Sequence, residues 1–139
     1  MSLLQDIMKK YVNLNYQKLV TTARLSAYII YPACRAADGE DKCCSTIASI
    51  VLSALNIDGK ITDKEKKFLS DVFYVDENTV EIFLDKYTDE MKERSTRFSA
   101  QLSDDLKTEV AKLVLCIGCA DETITKEEAL FMADLVRAG

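Results

Sequence analysis

Asn56-Ile57-Asp58-Gly59-Lys60-Ile61-Thr62-Asp63-Lys64-Glu65 is the stretch on which the fold turns. Asp58-Gly59 is a turn pair, because Asp bonds its own backbone and Gly tolerates the left-handed region. Thr62 with Glu65 three residues on is a capping box: the hydroxyl accepts the Glu65 backbone N–H, and the carboxylate reaches back to the Thr62 N–H. A helix therefore starts here, with Phe68, Leu69, Val72 and Phe73 as its buried stripe. On the other side of the turn, Cys44 to Asn56 is an apolar run of helical length. The unit is a helix–turn–helix.

The same unit recurs later in the chain. Asp58, Ile61, Thr62 and Glu65 reappear at the same spacing as Asp121, Ile124, Thr125 and Glu128. Ala48, Val51 and Leu52 correspond to Ala111, Val114 and Leu115, and Phe68 and Asp71 to Phe131 and Asp134. This pattern predicts a duplication. Two copies are too few for a solenoid, which needs at least about three units, so they are expected to pack against each other with their turns in related places.

Outward from the repeat, Leu4, Ile7, Met8 and Tyr11, then Tyr16, Leu19, Val20 and Ala23, recur at helical spacing. They predict one long or two consecutive helices up to about Ile30, with Pro32 breaking or kinking the chain at Tyr31. Ala37 to Asp41 reads as a loop. Asp76 caps a helix with Val80, Phe83, Leu84, Tyr87 and Met91 inward, and Glu93 to Gln101 reads as a polar connector. Ser103 starts a long helix, and the last helix is expected to bury Phe131, Met132, Leu135 and Val136. The expected fold is all-α, a compact bundle of about seven helices. Residues 1–43 are read as a helical extension packed on the core, and 44–139 as the duplicated domain.

With 139 residues the chain is long enough for one well-buried domain, and four Gly with a single Pro disfavour a turn-rich β fold. A net charge of −5 opposes binding to phosphate backbones, so no nucleic-acid partner is expected. No basic start leads into an apolar run, which predicts a cytoplasmic chain. The absence of histidine removes the Ser-His-Asp and Cys-His machineries and His-containing zinc sites.

The turn invites comparison with a calcium loop, but Ala54 stands where an EF-hand carries its leading carboxylate. The segments Ala54 to Glu65 and Ala120 to Glu128 instead resemble the twice-occurring signature of the TerB-like, tellurite-resistance family of small helical domains, over roughly residues 44–138. That resemblance implies a compact all-α fold without established catalysis, a link to stress or tellurite resistance, and clustered acids able to bind metal. Carried over by position, the ligand candidates are Asp58, Glu65, Asp121 and Glu128, for calcium, magnesium or manganese. All four also have structural readings, the aspartates in turns and the glutamates in capping boxes.

Two further features compete with the acids. Cys116-Ile117-Gly118-Cys119 is a CxxC that could act as a redox pair or, with Cys43-Cys44, form a zinc set, but it ends a predicted helix with no strand before it. Tyr11, Tyr16, Tyr28 and Tyr31, flanked by Lys9, Lys10, Lys18 and Arg24, could lie on a membrane surface; packing on the core is the favoured reading. The chain is thus read as a module that binds rather than catalyses, an acidic metal-binding domain or alternatively a scaffold for a protein partner.

Overall fold

A computed structural model describes residues 3–54, 61–121 and 125–138 of the chain. The Asp58-Gly59 turn and Glu122 to Ile124 lie outside the described residues. The described elements are α1 (Leu3–Tyr11), α2 (Tyr16–Asp38), α3 (Cys43–Ala54), α4 (Asp63–Phe73), α5 (Glu77–Lys86), α6 (Asp89–Ala100), α7 (Asp104–Ala120) and α8 (Lys126–Ala138). No strand occurs among the described residues.

The bundle is organised around α7. Its second half is a nearly continuous apolar run, and Val110, Ala111, Leu113, Val114, Leu115, Cys116, Ile117 and Gly118 are all buried. A helix that is apolar all round must be enclosed by others. α1, α2, α3, α4 and α8 each pack against it. The first two helices belong to this same hydrophobic cluster through Leu4, Met8, Tyr11, Leu19, Val20, Ala23 and Ile30. The Ser26 hydroxyl, which donates to Glu109 at 3.0 Å, ties α2 to α7 further.

α2 and α4 are joined by a polar seam beside this core. Tyr16 donates its O–H to the Asp71 carboxylate at 2.5 Å, and Arg24 donates to the Asp71 carbonyl at 2.5 and 3.1 Å. The Tyr16 hydrogen bond, together with Lys67, holds the Asp71 carboxyl below its ordinary range. The Tyr16 ring meets Phe68 edge-on, with 6.0 Å between centroids. Arg24 also lies 3.7 Å over the ring of Tyr74, whose φ of 56° ends α4 in the left-handed region.

Several sequence expectations are corrected. Helix α2 runs unbroken through Pro32 to Asp38. Proline deprives the carbonyl four residues back of its donor. That carbonyl belongs to exposed Tyr28, and the fully buried Ile30 and Cys34 on either side keep the segment packed. The expected connector Glu93 to Gln101 is instead part of α6, which makes eight helices among the described residues rather than about seven. Thr88 starts α6 by accepting the Met91 N–H at 3.2 Å, so Met91 belongs to this helix and not to α5. Acids in the first turn and Arg97 in the last complement the α6 dipole, and its only fully buried side chain is Ser95.

The largest correction concerns α8. Phe131 and Leu135 are 65% and 59% exposed, whereas Ala129 and Ala133 are fully buried. The cause is Gly118 on α7. A methyl group there would come within 2.5 Å of the Ala129 Cβ, so α7 and α8 touch through small residues at backbone range. This close seam leaves Phe131 and Leu135 outward, while Met132 and Val136, expected inward with them, are partly buried against the core.

Candidate functional site

Thr62, at the start of α4, and Asp121, at the end of α7, meet at one junction. At the start of α4, the Thr62 hydroxyl accepts the Glu65 N–H at 3.1 Å and the Glu65 carboxylate accepts the Thr62 N–H at 3.0 Å, so the capping box forms as the spacing predicts. The same Thr62 hydroxyl donates to the Asp121 carboxylate at 3.1 Å. Asp121 ends α7, with its own N–H on the Ile117 carbonyl at 2.8 Å. Both carboxyls are enclosed: Glu65 is 6% exposed and Asp121 is 2% exposed.

The two carboxyls share Thr62 as a common partner, and Asp121 lies close enough to Glu65 to act on it electrostatically. Burial first, then the neighbouring Asp121, pushes the Glu65 pKa above its ordinary value, against the lowering effect of the Thr62 hydrogen bonds. The junction is thus a clasp between the start of α4 and the end of α7, with the Thr62 hydroxyl at its centre.

The other two ligand candidates stand apart from this pair. Asp58 lies outside the described residues. Glu128 is exposed and engaged in its own cap, where its N–H donates to Thr125 Oγ1 and the Thr125 hydroxyl donates back to its carboxylate, both at 3.1 Å. Among the described residues no group of three or more His, Cys, Asp or Glu side chains is placed to hold a metal ion. No buried side-chain nitrogen or oxygen among them lacks a hydrogen-bond partner.

The cysteines are thiols among the described residues. Cys116 is fully buried, and burial drives its pKa well above the ordinary thiol range. The Cys119 sulfur sits 3.3 Å from that of Met8. Burial likewise pushes Cys34 up to about 12. A thiol that resists ionisation is a poor nucleophile and a poor metal ligand.

The surface that sequence reasoning missed is a groove of about 840 Å³. Ile50, Ser53 and Ala54 of α3 form one side, Lys92, Thr96, Ser99 and Ala100 of α6 another. The third side is α8, with Phe131, Met132, Leu135 and Val136, and with Glu127 and Glu128 at its N-terminal end. Ser53 fixes the seam between α3 and α6, bonding the Tyr87 hydroxyl at 2.9 Å and donating to the Lys92 carbonyl at 3.3 Å. The one sequence signal for this groove was Ala129-x-x-x-Ala133 opposite Gly118, small residues that mark a close helix contact and hence which face of α8 is buried.

Phe68 is 1% exposed beneath Tyr16 of α2, whereas Phe131, which the sequence pattern pairs with it, is 65% exposed. Comparison with known families finds no matching family model, and comparisons with curated proteins and with solved structures find no match. No helix among the described residues is long and apolar enough to cross a membrane.

Proposed function

We propose that the chain is a non-enzymatic helical module that binds a protein partner in the groove between α3, α6 and α8. The observation that carries this reading is the exposure of Phe131 and Leu135, one turn apart on α8, at the edge of an apolar groove. Large apolar side chains clustered on a concave surface are what helix-in-groove recognition uses. A helix of 13 residues such as α8 is about 20 Å long, enough to offer three turns to a partner helix.

A synthetic amphipathic peptide of ~18 residues, with Leu on one face and Gln on the other, is the direct probe. It is expected to bind the native chain and to lose at least about tenfold in affinity against the Phe131→Ser/Leu135→Ser variant. Both positions are exposed, so the variant keeps its core; unchanged far-ultraviolet circular dichroism checks this. Equal binding to both proteins contradicts the groove.

A second reading is favoured by the Glu65–Asp121 pair. In a TerB-like acidic module, a hard divalent cation would sit between the two carboxyls, as opposite charge relieves the repulsion between carboxylates. This reading expects calcium, magnesium or manganese at millimolar concentration to raise the melting temperature. An unchanged melting temperature with all three removes it and leaves the pair as a clasp.

A further inference from the structure

We infer that the groove accepts a helix carrying basic residues beside its apolar face, seated over Phe131 in the way α2 is seated over Phe68. The inference rests on the groove reading above and adds the partner's chemistry.

The internal precedent comes first. The helix that covers Phe68 is α2, and it does so with a specific character. Tyr16 supplies the apolar edge, and Arg24 and the Tyr16 hydroxyl engage the carbonyl and carboxylate of Asp71. In the sequence repeat, Phe68 and Asp71 correspond to Phe131 and Asp134. Phe131 and Asp134 are both exposed. A helix of the α2 type, with an aromatic or aliphatic stripe and flanking cations, is complementary to these two positions.

Charge points the same way. The N-terminal end of α8 brings Glu127 and Glu128 to the groove, both exposed, against Lys92 from α6. Asp134 is exposed on α8 outside the groove lining, and the whole chain carries −5. Two glutamates against one lysine leave an apolar floor with an acidic end, which attracts cationic partners and repels anionic ones and sets specificity more than raw affinity. The same charge disfavours an anionic lipid surface as the occupant.

The test compares three peptides of one length and one Leu face, with Lys, Gln or Glu on the other face, by fluorescence anisotropy at two salt concentrations. The Lys peptide is expected to bind about tenfold tighter than the Glu peptide at low salt, with the gap narrowing as salt screens these charges. The Glu127→Gln/Glu128→Gln/Asp134→Asn variant is expected to remove most of that gap. If all three peptides bind equally and still require Phe131, the groove stands and the basic partner is overturned. If none binds, the groove reading fails and this inference falls with it. Phe131-dependent flotation with phosphatidylserine vesicles, without peptide binding, overturns both in favour of a membrane.

Discussion

Replacing Gly118 by Val is expected to destabilise the chain by about 3 kcal/mol, the upper end of what overpacking a core costs. The Cβ would stand 2.5 Å from that of Ala129, and neither atom lies on a flexible side chain that can swing away. The only relief is to part α7 from α8, which also withdraws Ala129 and Ala133 from the core. Valine brings no helix propensity that offsets this. For a domain of this size the melting temperature should fall by roughly 10 °C. The Gly118→Val/Ala129→Gly double variant should recover part of the loss, although glycine within α8 itself costs about 1 kcal/mol. That recovery, read from urea denaturation as a coupling energy, distinguishes a specific clash from general disorder. Additive losses would mean that α8 does not sit on Gly118.

The second large effect is expected at the clasp of Thr62, Glu65 and Asp121. The folded-state pKa of Glu65 is raised above its ordinary value of 4.5, chiefly by burial and then by Asp121. A raised carboxyl pKa means that the folded state holds the proton more tightly than the unfolded one. The stability this confers is fully present below the unfolded value and is lost as pH rises through the folded one. The native chain is therefore expected to lose stability from about pH 4.5 upward in this window. Asp121→Asn replaces a repelling carboxylate by an amide that can donate to Glu65, so its stability should vary less with pH there. Asp121→Ala leaves the Thr62 hydroxyl without this acceptor, at a cost of about 1–3 kcal/mol for a buried group orphaned. Denaturation midpoints of the three proteins from pH 4 to 7 check both statements. Parallel pH profiles for the native chain and Asp121→Asn would contradict the clasp.

The helices and their starts were largely legible because caps are local. Thr62 with Glu65, Asp76 and Ser103 each declare a helix start through side chains a few residues apart, and each forms as read, while at Thr125 the hydroxyl accepts the Glu128 N–H. α6 escaped because its signal lay in Thr88 and in charges suited to a helix dipole, not in an apolar stripe. Pro32 misled because the cost of a proline in a helix depends on whether the freed carbonyl meets water, which is a tertiary property. The repeat predicts that equivalent turns lie in related places, but the contact of Thr62 with Asp121 joins non-equivalent positions and was not legible in it. The groove was not legible either, because apolar periodicity does not say which of two adjacent faces of α8 is inside. The alternation of Ala129 and Ala133 with Phe131 and Leu135 is ambiguous until Gly118 on another helix is set opposite.

Methionine methyl resonances give the most direct measurement of the groove. Met132 lines it, and Met8 is buried in the core under α1. On titrating the Leu/Lys peptide into methyl-labelled protein, the Met132 signal is predicted to shift to saturation while that of Met8 stays in place. A Met132 signal unmoved by peptide that binds, or by any peptide at millimolar concentration, would contradict the account.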